Sequence, residues 1–127
     1  MELQLEIIGQ PISEVELGFT ATIRLGSPIE FELQVEGEIS IHTTDGRLAS
    51  APSNNYADIR NELESIVGSK VTRAIASEVN GLKIVLSSGT VLEVPVDDHY
   101  EAWGIVGLSG YRVICLPGGE LAIWSAK

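Results

Sequence analysis

The densest cluster of ionisable side chains is Asp97-Asp98-His99-Tyr100-Glu101. A metal centre there would take a carboxylate and the imidazole as neighbouring ligands. Consecutive residues of an extended chain point to opposite sides, however, and no second His, Cys or Asp group stands at a useful spacing. The segment reads as a solvated connection, and neither a metal nor a cofactor is expected. Nucleophilic catalysis would pair Cys115 or a serine with His42 or His99. Cys115 stands in the apolar run Val113-Ile114-Cys115-Leu116, the setting of a small buried hydrophobe, and no Gly-x-Ser-x-Gly elbow is present. His42 follows Ile39-Ser40-Ile41, which places it on the polar side of a strand. Pro117-Gly118-Gly119 is followed by Glu120 and an apolar strand, so it reads as a hairpin turn and not as a phosphate-cradling loop at a helix start. No catalytic residue is assigned.

Two sets of carboxylates remain. Glu32 and Glu93 occupy matching places in a repeated pattern, and a close carboxylate pair with split pKa values can do acid–base work. Alternation sets both opposite inward residues, so both read as solvated. The second set is a ridge of Glu30, Glu32, Glu36 and Glu38, with Glu14 and Glu16 on a neighbouring strand. Facing carboxylates repel by roughly a few tenths of a kcal/mol. A face that tolerates several can guide a basic partner by its field, while the plainer reading is a wetted surface that discourages edge pairing. Trp103 and Trp124 are candidate interface anchors, although in a meander of this size such residues more often belong to the core.

Composition bounds these readings. The 127 residues suit a single domain, 1–127, and 44% hydrophobic with 20% charged residues is a globular balance. The net charge is −10. Residues 1–50 hold nine acids against Arg24 and Arg47, whereas residues 51–127 hold nine acids and six bases. Phosphate neutralisation needs clustered Lys and Arg, so nucleic-acid binding is excluded as an autonomous role. No apolar run reaches the ~20 residues of a membrane span. The opening Met1-Glu2-Leu3-Gln4-Leu5-Glu6 alternates like a strand instead of forming a secretory leader, and a lone cysteine gives no support to an oxidising compartment. The expected location is cytoplasmic.

The elements that must position these residues are short strands. Leu3, Leu5 and Ile7 face one way and Glu2, Gln4 and Glu6 the other; Val15 and Leu17 alternate with Glu14 and Glu16; Phe31, Leu33 and Val35 alternate with the ridge. A repeat underlies them. Ile7-Ile8-Gly9 resembles Ile66-Val67-Gly68, Ile23-Arg24-Leu25 resembles Ile84-Val85-Leu86, and Phe31-Glu32-Leu33 resembles Leu92-Glu93-Val94, at offsets of 59 moving to 61. The repeat units are about 7–35 and 66–96. In the second, Asn80-Gly81 predicts a type I′ hairpin turn. Asn54 or Asn55 caps a predicted helix over 55–67, and 49–54 reads as a surface loop before it. A meander over 100–125 completes a mainly β fold of about ten strands, either a sandwich or a partly closed barrel.

Tyr100-Glu101-Ala102-Trp103 and the run from Cys115 through Leu116-Pro117-Gly118-Gly119-Glu120 to Leu121-Ala122-Ile123-Trp124 resemble a family of small bacterial proteins of unknown function, largely actinobacterial. The resemblance implies a bacterial cytoplasmic protein and transfers no catalytic residue. Small acidic proteins of this class include immunity partners of secreted toxins, an analogy of class alone. The expected function is a non-enzymatic protein-binding module with a basic partner, in its most specific form a toxin-neutralising immunity-type protein. The alternatives are a small-ligand carrier or unrecognised enzyme with a site between the halves, and a structural homo-oligomer such as a homodimer.

Overall fold

Alternation of apolar and polar residues turns most of the chain into short strands, and residues 2–124 of a computed structural model hold twelve of them. The first half supplies β1 (Glu2–Gln4), β2 (Ile12–Leu17), β3 (Ala21–Leu25), β4 (Phe31–Val35), β5 (Ile39–His42) and β6 (Leu48–Ala51). A helix of nine residues follows, first a 3-10 turn (Tyr56–Ile59) and then α1 (Arg60–Glu64). The second half supplies β7 (Val71–Ser77), β8 (Gly81–Leu86), β9 (Val91–Val94), β10 (Trp103–Gly107), β11 (Arg112–Cys115) and β12 (Leu121–Trp124).

The strands form two six-stranded antiparallel sheets, and among the described residues no barrel closes. Sheet I has the order β1-β7-β8-β9-β5-β6, and sheet II the order β12-β11-β10-β4-β3-β2. The inward rows of both sheets meet in one core. Ile23, Leu33, Ile105 and Val113 come from sheet II, and Ile41, Ala74, Ile84 and Leu92 from sheet I, all nearly without exposure. Trp103, also from sheet II, is among the largest of the fully buried side chains. The mainly β expectation therefore holds, with twelve strands in place of about ten.

The order of strands contains an exchange. The meander β2-β3-β4 belongs to sheet II, but the hairpin β5–β6 that follows it pairs with β9 in sheet I. The meander β7-β8-β9 belongs to sheet I, but β10–β11 that follows it pairs with β4 in sheet II. The two halves carry the same backbone bonds. Gly9 N donates to Val71 O at 2.7 Å, and Gly68 N donates to Ile12 O at 2.8 Å, a shift of 59 residues in both partners with the halves interchanged. Likewise Ile12 N reaches Ser69 O and Val71 N reaches Gln10 O, at 2.8 and 2.9 Å. Both halves bulge at the same place, between Ile12 and Glu14 and between Val71 and Arg73. Gly9 and Gly68 have φ of 85° and 97°, a region that costs a side-chain-bearing residue about 1 kcal/mol.

Four local readings are corrected. Ile23 faces Leu33 and Ile84 faces Leu92, so β4 matches β9 at an offset of 59, not 61. Ser77 pairs with Gly81 across the three residues Glu78-Val79-Asn80; only Gly81 takes positive φ, so the turn is not type I′. Ser77 Oγ accepts the Asn80 N–H at 2.8 Å and holds that turn. Leu48–Ala51, three of its four residues read as loop, is a strand whose Ala51 is fully buried. The helix spans 56–64 and not 55–67, and Asn55 gives its backbone no side-chain cap; its amide instead donates to Asp58 at 2.8 Å.

Candidate functional site

Because Ile23, Leu33, Ile105 and Val113 point into the core, the residues between them form the outer face of sheet II. Strand register aligns one row of that face as Glu14, Arg24, Glu32, Val106, Arg112 and Trp124, each opposite the next. Arg24, at the centre of the acidic half, gathers three carboxylates. Its Nη1 lies 3.0 Å from Glu14 Oε1, its Nη2 2.8 Å from Glu16 Oε1 and its Nε 3.1 Å from Glu32 Oε2. A guanidinium presents five donors in a fixed fork, which suits this geometry. Its pKa is raised, first by the bond to Glu16 and then by those to Glu32 and the field of Glu14, against the cost of desolvation. Gln34 Nε2 adds a 2.9 Å bond to the other oxygen of Glu32. Three residues of the expected ridge are thus already occupied by a residue of their own chain.

The neighbouring row runs Thr22, Gln34, Gly104, Ile114 and Ala122. Gly104 has no side chain to fill its place, and a groove of about 130 Å³ opens beside it. Glu36, Glu101 and Arg112 line it with charge, and Val106 and Ile114 contribute apolar surface. Arg112 is engaged by Trp124, with its guanidinium carbon 5.3 Å from the ring centroid, a cation–π distance. Glu36 and Glu101 are exposed and make no ion pair among the described residues. The groove therefore joins two available carboxylates to an apolar floor.

The ridge read from the sequence divides. Glu14, Glu16, Glu32 and Glu36 belong to the outer side of sheet II, with Glu30 exposed in the turn before β4. Glu38 stands beyond the crossing at Gly37, immediately before β5 in sheet I. Glu32 and Glu93 lie in different sheets and form no pair; at the repeat offset of 59 the counterpart of Glu93 is Gln34. Glu93 is instead 2.6 Å from His42 Nε2 on the half-exposed outer face of sheet I. Asp97 Oδ1 accepts the His99 and Tyr100 N–H groups at 2.7 and 3.1 Å, which commits that carboxylate to a turn. Cys115 is fully buried, and burial raises its thiol pKa. Pro117-Gly118-Gly119 joins β11 to β12 as a hairpin turn.

A second groove, about 230 Å³, crosses the outer face of sheet I and mixes Arg73 and Lys83 with Glu2 and Glu93. Both grooves lie on outer faces of the sheets, and both fall short of the roughly 300 Å³ at which pockets begin to bury a small-molecule ligand. Sequence reasoning missed two participants. Arg24 was visible as one of only two bases in residues 1–50. Glu101 was hidden because its place in the same groove as Glu36 depends on β10 pairing with β4.

A model of a family of unknown function, DUF6188, matches residues 3–125, and the chain belongs to that family. No curated protein and no solved structure matches it.

Proposed function

We propose that this member of a family of unknown function is a non-enzymatic protein-binding module that receives a basic segment of a partner on the outer face of sheet II. The observation that carries the reading is the groove beside Gly104, where the unengaged Glu36 and Glu101 border Val106 and Ile114. A Lys or Arg side chain laid there would place its alkyl stem on the apolar floor and its charge between the carboxylates. The surrounding field, set by a net charge of −10, would speed encounter with a basic surface. The most specific form is an immunity-type protein that covers a basic toxin surface. The resemblance of Tyr100–Trp103 and Cys115–Trp124 to small bacterial proteins supports a bacterial cytoplasmic setting for it.

The test is association kinetics with a basic toxin encoded beside this gene. Glu36→Lys with Glu101→Lys should slow association at least tenfold at low salt and flatten its salt dependence, because steering acts through a screened field. Circular dichroism should show the fold intact, since surface substitutions rarely shift stability by more than about 0.5 kcal/mol. An unchanged rate at both low and physiological salt would overturn the reading.

A further inference from the structure

The two sheets have four edges, and three of them are guarded. β1 is only three residues long and carries Glu2; β2 bears a bulge, Glu14 and Glu16, and packs against α1; β6 is packed by the 3-10 turn that follows it. Short strands, charges, bulges and covering elements are the usual defences of an unpaired edge. β12, though only four residues long, has no charge, bulge or covering element among the described residues. Leu121-Ala122-Ile123-Trp124 contains no charge and no proline, and its register with β11 is unbroken.

The phase of the ladder shows which backbone groups are left open. Leu116 N–H donates to Glu120 O at 2.8 Å, so that pair is a hydrogen-bonded one. Antiparallel ladders alternate. Ala122 and Trp124 therefore bond to β11, while the N–H and C=O of Leu121 and Ile123 point to the free edge. Ile123 faces Val113, which is fully buried, on the core side of the sheet, yet it is 42% exposed because no described strand continues the row beyond it. Trp124, on the outer side, is 49% exposed.

We propose that this edge is a self-association surface: two copies of the chain pair through β12, antiparallel and centred on Ile123, merging two copies of sheet II into one continuous sheet. A two-fold axis at Ile123 makes both of its backbone bonds reciprocal and sets the two Ile123 side chains together over the ends of the two cores. It also sets Trp124 of each copy opposite Ala122 of the other, a large ring against a small side chain, twice. No charged residue is brought to face its like. The strand pair is short, and the contact lies below the roughly 1,200 Å² typical of stable complexes, so the dimer is weak and concentration-dependent. It adjoins the groove beside Gly104 through Trp124, whose ring lies under the Arg112 guanidinium.

Sedimentation equilibrium across a micromolar-to-millimolar series of the intact chain tests this. The average mass should rise from 13.6 kDa towards twice that value, and added salt should strengthen the rise by screening two charges of −10. Ile123→Lys should weaken association at least tenfold. Ile123→Pro should do the same while keeping the wild-type circular dichroism, because the N–H it removes points away from β11. A mass of 13.6 kDa throughout would overturn the proposal, as would variants that associate like the parent or an association that salt weakens.

Discussion

Arg24 and Glu32 face each other across β3 and β4, Nε to Oε2 at 3.1 Å, with the guanidinium also holding Glu14 and Glu16. Replacing Arg24 leaves three carboxylates clustered without their shared counter-charge. Arg24→Met, which keeps the alkyl stem, should lower Tm, and the loss should shrink at high salt because the residual repulsion is screened. Adding Glu32→Gln to Arg24→Met should recover part of the loss. Thermal melts at low and high salt decide it; a salt-independent loss would point to packing instead.

Glycines separate into two classes. Gly9 and Gly68 have positive φ but open space where a Cβ would stand, so alanine there should cost only the conformational penalty of about 1 kcal/mol. At Gly81 the added Cβ would strike the Val94 carbonyl, and at Gly119 the Glu78 carbonyl, in addition to the positive φ. Alanine at either should cost more than about 2 kcal/mol. Urea denaturation of the four variants measures the contrast.

Tyr56 is buried and donates its hydroxyl to Gly37 O at 2.6 Å, at the crossing between the sheets. Burial pushes its pKa up to about 12, only partly offset by bonds with Ser53 and Asn54. Because the folded value lies above the unfolded value of 10.0, this tyrosine's contribution is whole below pH 10 and is lost as pH rises through about 12. Tyrosinate absorbance should show Tyr56 ionising with alkaline unfolding. Tyr56→Phe should remove that component and cost about 1–2 kcal/mol at neutral pH by stranding the Gly37 carbonyl.

Cys115 lies within the core, and desolvation raises its pKa. Only the thiolate reacts, and only where reagent can reach it. Native-state labelling should be at least a hundredfold slower than labelling in denaturant, and should speed up on approach to the unfolding midpoint. Rapid stoichiometric labelling of the folded chain would return Cys115 to the list of nucleophiles.

Side-chain alternation told which residues face inward, as at Leu3, Leu5, Leu33 and Val35, because a period of two is a local property. The positive φ of Gly9 and Gly68 was foreshadowed by matching apolar-Gly turns. What alternation does not carry is the sheet to which a strand goes. Glu36 and Glu38 have the same parity in the sequence, and only the crossing at Gly37 parts them. There Glu36 N and Gly37 N both donate to Ala102 O, at 2.9 and 3.0 Å, a residue of the other half. Leu48–Ala51 escaped because Ala-Ser-Ala has weak strand propensity and is held by pairing with β5. The Arg24 cluster and the groove shared by Glu36 and Glu101 depend on cross-strand register in the same way.

The exchange of hairpins between sheets also sets the order in which the protein can be made. On a ribosome, β2, β3 and β4 emerge together, but the strand that covers the far side of β4 is β10, some seventy residues later. The hairpin β5–β6 likewise waits for β9. Neither sheet can be completed early and left behind while the other is synthesised. Pairings between such distant segments place the chain among the slower folders, on the millisecond-to-second scale. During translation the open side of β4 is the vulnerable surface, and the turn at Thr43–Arg47 must hold a hairpin together before it has a sheet to join.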